Sequence, residues 1–474
     1  MSITDITFLV LCLPIALCTY VFKPALQKYL LLLLSLFFYA CGSPRYFFLF
    51  MVTVGINIIF WVFIEKFRER NLGKIFLITG CVLNIAVLFY YKYYNFTVLN
   101  LNRALHTSFE AKQLLIPLGI SFFVFKAISY LVDIYTQKID VGKNPVYAAL
   151  YLSFFGQIAS GPICRYGKFY EVYEENRDKR EIFAEIANGG YRFTIGFIKK
   201  VLIANVLGHV TTEVFALDPS DATRSILWLG SLCYSLQLYY DFSGYSDMAI
   251  GIGEMFGIHC SENFDYPYMT KSISEFWRRW HISLSSWFRD YVYFPLGGSR
   301  VESHVRLYIN LLVVWLLTGI WHGANWNFIA WGLIYFILIA FEKATNLPKR
   351  LKNPIYKMIY QAGCLLIINF QWVIFNATSL HHGVSYIKYM FLGGGDTVWN
   401  HRAFILLQEY GVIIFTAVLF AIPIVPWLQK WKLKTRARTM SVNVGMTVIM
   451  AGLFVWALSF VVAGQNNPFM YANF

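Results

Sequence analysis

Apolar runs close to the length of a bilayer crossing recur from one end of this chain to the other, and they restrict its fold more than any other feature. Within hydrocarbon a backbone amide finds no partner outside its own segment, so runs such as Leu311 to Trp321 and Trp326 to Ala340 must be helical. Of 474 residues 58% are hydrophobic and only 14% charged, more apolar surface than a soluble globule can cover. The expected fold class is therefore an all-α polytopic membrane protein. It is read as one integral-membrane domain over residues 1–474, with about eleven to thirteen transmembrane or re-entrant helices and interfacial amphipathic helices beside them. Runs over 114–135, 146–162 and 226–252 belong to that set. The run from Ile6 to Phe22 has no Lys or Arg before it and no small-residue cleavage site, so it is expected as a retained span rather than a signal peptide.

The 40 Lys and Arg against 26 Asp and Glu give a formal charge of +14. They gather in short loops between apolar runs, which is the positive-inside pattern, so the expected partner is the lipid bilayer and not nucleic acid. Cytoplasmic loops are read at Lys23 to Lys28, Glu65 to Lys74, Lys343 to Lys357 and Gln429 to Arg438. Counting crossings between them places the N-terminus, the loop from Asn376 to Tyr410 and the terminal segment Asn466 to Phe474 outside. The Leu311 run then leaves a basic region at Arg300 and Arg306, and the Trp326 run returns to Lys343. The turn between them, Trp321-His322-Gly323-Ala324-Asn325, lies in the membrane interior or toward the outer side.

An imidazole there costs roughly 2 kcal/mol or more unless it is partnered or solvated, which makes His322 a candidate functional residue. The competing reading is a hydrogen-bonded structural histidine. A second histidine, His281, lies in the charged, aromatic segment 261–304, which is too polar to span. Ser272-Ile-Ser-Glu275 has the form of a capping box, and one helix is predicted from it to a stop before Pro295-Leu-Gly-Gly298. On that helix Phe276, Trp277, Trp280, Leu284, Trp287, Phe288 and Tyr291 share one arc, with Arg278, Arg279, Arg289 and Asp290 opposite. Such a pattern suits a helix lying in the membrane interface. A neutral imidazole can take a proton from a hydroxyl and so activate it toward a thioester or ester carbonyl. For His281 a hydrogen bond to a headgroup or a carbonyl is an equal alternative.

A polar cluster interrupts another apolar run at Asp241-Phe-Ser243-Gly-Tyr245-Ser-Asp247. Its carboxylates either line a water-filled passage or pair with basic side chains and fix helix packing. Arg165, after Gly161-Pro162, either binds an anion or joins the same pairing. Trp321, Asn325, Arg278 and Arg279 complete the candidate binding residues. The eight cysteines contain no Cys-x-x-Cys pair, and His381, His382 and His401 have no carboxylate or Cys at ligand spacing, so neither a disulfide framework nor a metal site is expected. There is no phosphate-binding Gly-x-x-x-x-Gly-Lys-Ser/Thr loop and no Gly-x-Ser-x-Gly elbow. Gly395-Asp396-Thr397 is read as a loop.

The block Glu275-Phe-Trp-Arg-Arg-Trp-His-Ile-Ser-Leu-Ser-Ser-Trp-Phe-Arg-Asp-Tyr-Val-Tyr-Phe-Pro-Leu-Gly-Gly298, followed by Leu317-Thr-Gly-Ile-Trp-His-Gly-Ala-Asn325, resembles the membrane-bound O-acyltransferase family. Pro117 to Phe125, Ser129 to Asp133, Ser160 to Ile163, Asp241 to Asp247 and the looser terminal Asn467 to Phe474 are similar as well. Together they span most of the chain and resemble the bacterial, polysaccharide-acetylating branch. The resemblance implies acyl transfer, with acetyl drawn from cytoplasmic acetyl-CoA and no bound cofactor. It implies an acceptor polysaccharide outside the bacterial cytoplasmic membrane and an extracytoplasmic partner like the SGNH esterases. In it His322 matches the family's principal catalytic histidine and His281 the second, upstream polar position. A subunit that passes D-alanine to teichoic acid is the nearest rival, and a non-enzymatic exporter or flippase the rival of another class.

Overall fold

The computed structural model describes residues 2–22, 26–139, 144–171, 178–394, 401–424, 427, 436–464 and 468–470. Among them every regular element is helical. Among the described residues eight helices are long and apolar enough to cross a bilayer: Pro44–Phe67, Asn71–Leu105, Lys179–Phe215, His304–His322, Trp326–Thr345, Pro354–Asn376, His401–Phe420 and Val444–Val462. Two shorter apolar stretches, Phe8–Phe22 and Gln27–Gly42, accompany them. Large apolar side chains such as Phe48, Val82, Phe415 and Val455 stand exposed on these helices, as expected where the surrounding medium is hydrocarbon. The all-α polytopic architecture is thus as the run lengths require. Basic positions 23–25 and 429–435, the Gly395-Asp396-Thr397 loop and terminal residues 471–474 lie outside the described residues.

Three predicted spans take other forms. The 114–135 run becomes helical only at Ile120, after Pro117 and Gly119, and its helix Ile120–Tyr135 is buried on almost every side. Gly119 has φ +65° and its backbone touches Ile158, where an added Cβ would lie 1.8 Å from the carbonyl oxygen; no other residue fits that turn. The 146–162 run stops being helical after Pro145–Ser153. The third run forms one 32-residue helix, Arg224–Met255, on which Ser231, Ser235, Asp241, Ser243, Ser246 and Asp247 are buried in protein. These are interior elements, where side-chain partners replace lipid.

The chain divides into two compact units. The first comprises residues 1–194, 245–262 and 468–474, and the second 195–244 and 263–467. Within the first, Asn57 and Asn84 exchange reciprocal amide hydrogen bonds of 3.1 and 2.9 Å between helices Phe47–Phe67 and Asn71–Leu105. Also in that unit, Arg192 Nε donates to Asp247 Oδ1 at 2.7 Å and its terminal nitrogens donate to both carboxylate oxygens of Glu262.

The second unit contains His304–His322 and Trp326–Thr345, which cross with backbone against backbone. A Cβ on Gly332 would lie 2.5 Å from the Trp315 carbonyl oxygen and 3.1 Å from Gly319 Cα, and one on Gly319 would lie 2.5 Å from the Phe328 carbonyl oxygen. Small residues at such a crossing let membrane helices approach closely. Asn325 caps the second helix, accepting from Trp326 N at 2.7 Å and donating to the Thr378 carbonyl at 3.1 Å. Also in this unit, the buried Lys200 ammonium pairs with Asp241 at 2.5 Å. An added Cβ on Gly244 would lie 2.9 Å from the Gly196 carbonyl, so glycine is what lets these two backbones approach.

The aromatic segment departs from the single predicted helix. Ser272 does cap the start, accepting from Glu275 N at 3.0 Å. The Glu275 carboxylate in turn accepts from Lys271 N at 3.0 Å. The helix Ile273–Arg279 then ends, His281 takes φ +46°, and a second helix runs Ile282–Phe288. The aromatic arc is covered by protein as well: Phe276, Trp277, Trp280, Leu284, Trp287 and Phe288 are all buried. Period alone does not distinguish a face that meets lipid from one that meets tryptophans.

Candidate active site

His322 ends its helix and is 2% exposed. Its imidazole is enclosed edge-to-face by Trp321, Trp331 and Phe375 at centroid distances of 4.9, 5.0 and 5.2 Å. Trp331 is the neighbour of Gly332, so the glycine crossing is what brings this ring onto the histidine. Trp321 also lies 6.1 Å from the ring of His281. The two predicted histidines therefore flank a single indole.

His281 is 1% exposed and stands edge-on to Phe242 at 4.6 Å. Burial pushes its imidazole far below the ordinary range, to about 3, because the cation loses its hydration and gains no compensating charge. It is neutral at physiological pH. Asn263, itself buried, holds the ring through a 3.2 Å contact between Oδ1 and Nδ1.

On the side of the basic residues this unit contains a cavity of about 1090 Å³. Lys271, Arg278, Arg289, Lys343, Lys349 and Lys357 line it. Of the two carboxylates on its wall, Glu275 binds Arg279 at 2.9 Å. The other, Glu342, is buried and accepts from Ile273 N at 2.7 Å, Ser274 N at 2.8 Å and the Tyr360 hydroxyl at 2.6 Å. It thereby satisfies the first N–H groups of helix Ile273–Arg279, where a negative charge is favoured. The mouth is left strongly positive. At the other end the lining reaches Trp277, Trp315 and Thr318, and Thr318 is one helical turn, about 6 Å, before His322.

Between that end and His322 stand Trp277, Trp331 and Tyr335, with centroids 4.9 to 5.5 Å apart. The two indole N–H groups and the phenol oxygen are buried and find no hydrogen-bond partner among the described residues. Each such group costs roughly 1–3 kcal/mol if left unpaired, so acceptor atoms of a ligand fit there.

The other candidates lie as follows. Arg278 is exposed on the cavity wall. Arg279 is held by Glu275 and by the Asp265 carboxylate at 3.0 Å and braces the segment. Asn325 serves as a helix cap. Ser243 is buried on helix Arg224–Met255 within the second unit. Asp241 and Asp247 are engaged in their ion pairs with Lys200 and Arg192. Tyr245, Asp247 and Arg165 belong to the first unit; Tyr245 packs edge-on to Phe469 at 4.7 Å and Arg165 is half-buried. Sequence reasoning missed Asn263, Trp331, Phe375 and Glu342. A carboxylate at the end of an apolar run was the available signal for Glu342.

The family model described as "MBOAT, membrane-bound O-acyltransferase family" matches residues 136–386. A protein of Azotobacter vinelandii named probable alginate O-acetylase AlgI is 38% identical over 426 residues, 88% of this chain and 83% of its own length. A peptidoglycan O-acetyltransferase of Helicobacter pylori is 35% identical over 78% of this chain and 75% of its own. A teichoic acid D-alanyltransferase of Bacillus subtilis is 31% identical over 56% of this chain and 70% of its own. The matched span contains both histidines, the cavity-lining segment 271–361 and the Lys200–Asp241 pair, and with more than half of its length matched the chain belongs to the membrane-bound O-acyltransferase family and is a multi-pass O-acyltransferase.

Proposed function

We propose that this protein transfers acetyl from cytoplasmic acetyl-CoA toward hydroxyls of an exported envelope polysaccharide, with His322 as the general base. The observation that carries the reading is the cavity. Its basic mouth suits the phosphates of a nucleotide thioester, and its far end stops one helical turn from a buried imidazole. The donors on Trp277, Trp331 and Tyr335 match the amide and thioester carbonyls of a pantetheine arm passing between.

In the transfer, His322 takes the proton of the acceptor hydroxyl and the oxygen forms a bond to the acetyl carbon. The carbon–sulfur bond breaks, and the imidazolium returns the proton to the departing thiolate, so CoA leaves as the thiol. His281 is suited to a different part. With its pKa near 3 it is too weakly basic to remove a hydroxyl proton efficiently at pH 7, where a base is most effective with a pKa near the working pH. Its neutral ring accepts a hydrogen bond and orients. The relatives' names concern alginate, peptidoglycan and teichoic acid, and each relative is bacterial. The place proposed for this chain is accordingly the cytoplasmic membrane, with an SGNH-esterase-like partner outside completing the transfer. Alignment over 88% of the chain with the acetylase, against 56% with the D-alanyltransferase, favours acetyl.

The test is purified protein in lipid nanodiscs with labelled acetyl-CoA and the exported glycan. His322→Ala is expected to insert normally and to lose at least about a hundredfold in CoA release. Undiminished release, or a strict requirement for an acylated carrier protein, would overturn the base assignment or the donor respectively.

A further inference from the structure

We propose that Asn263 is a positioning residue that fixes which nitrogen of His281 carries its proton, keeping Nε2 as the lone-pair nitrogen. The proposal rests on the reading that His281 belongs to the acyl-transfer site.

Asn263 is fully buried and binds three consecutive residues. Its side-chain oxygen accepts from Ser283 N at 3.1 Å and faces His281 Nδ1 at 3.2 Å, while its backbone carbonyl accepts from Ile282 N at 3.0 Å. A backbone N–H only donates, so the amide atom facing Ser283 is the oxygen, which settles the orientation of the amide. An amide oxygen only accepts, so the Nδ1 opposite it carries the hydrogen. A neutral imidazole has one N–H, and its other nitrogen then bears the lone pair.

The same contacts explain why this histidine can point into the core. His281 occupies the N-cap position of Ile282–Phe288 with left-handed φ, and its side chain makes no capping bond. A residue there ordinarily spends its own side chain on the N–H two or three positions on. Asn263 does this for Ser283 instead, so the imidazole is not consumed in capping. The rings packed on it, Phe242 and Trp321, carry no charge. The charged group nearest in sequence to either, Asp241, is paired with Lys200.

The test uses the full-length protein in nanodiscs with ¹⁵N-labelled histidine, observed at pH 8, with the His281 signals identified by their loss in His281→Asn. The expected wild-type spectrum shows a protonated Nδ1 and an unprotonated Nε2. Asn263→Asp keeps an oxygen for both donors and should retain that tautomer. Asn263→Ala should mix the tautomers and lower kcat at least tenfold with little change in KM for acetyl-CoA. Protonated Nε2 in the wild type, or an unchanged tautomer in Asn263→Ala, overturns the proposal. If Asn263→Ala does not fold, the wild-type and Asn263→Asp spectra decide it. A mixed tautomer with unchanged transfer supports the positioning role and refutes His281's part in catalysis.

Discussion

Acidification should weaken this fold through His281, and a His281→Asn variant should escape that part of the loss. The unfolded chain binds a proton at this side chain below its ordinary value of 6.5, whereas the folded protein does not until about pH 3. Between those values the unfolded state holds the extra proton, so stability falls as pH falls, by about 1.4 kcal/mol per pH unit. It is fully present above pH 6.5. At pH 4.5 the loss amounts to about 2.7 kcal/mol, a substantial fraction of the roughly 5–15 kcal/mol that holds a typical domain folded. Asparagine is the useful replacement because it tolerates the left-handed backbone at this position. Its amide can still donate to Asn263, and it does not titrate. Unfolding of both proteins in one detergent, measured at pH 7.5, 6.5, 5.5 and 4.5, gives a difference in which the other ionisable groups cancel. Wild type should lose ground to the variant steadily below pH 6.5. Parallel curves would refute the argument that burial keeps this imidazole neutral.

Three other outcomes are expected. Gly332→Ala forces a methyl to 2.5 Å from the Trp315 carbonyl, and should destabilise the protein by about 1–3 kcal/mol and lower kcat through displacement of Trp331; an unchanged unfolding midpoint contradicts the crossing. Lys200→Met should cost about 3–5 kcal/mol by stranding the buried Asp241 carboxylate, and adding Asp241→Leu should recover most of it; a thermal denaturation cycle without coupling refutes the pair's role. Replacing Lys343 and Lys349 together by Gln should raise KM for acetyl-CoA roughly three- to tenfold at low salt and less at high salt; a salt-independent KM places the phosphates elsewhere.

Much of this was legible in the sequence where the cause is local. Run length dictates helices, and His322 between two apolar runs declares its own cost. The capping box at Ser272 correctly marks a helix start. The break at His281 was not legible, because the N–H groups of Ile282 and Ser283 just beyond it bond to Asn263, far back in the chain, and no periodicity encodes that partner. Nor could the aromatic arc announce that its Trp277 faces Trp315, Trp331 and Tyr335 and its Trp280 faces Trp372, since lipid and packed rings demand the same residue types. The sequence leaves two roles open for Asp241; only the position of Lys200, on another helix, shows the ion pair.

The Gly319–Gly332 crossing has a consequence for acyl-chain selection. Two helices in backbone contact cannot be brought closer by trimming side chains, and a side chain added at the crossing would part them and shift Trp331 with them. The span from Thr318 to His322 is one rigid helical turn beside that contact, so for the donor proposed above the depth available to its thioester is set by main chain. Discrimination among acyl groups of different length must therefore be written in the rings that narrow the path, Trp277 and Trp315 above all.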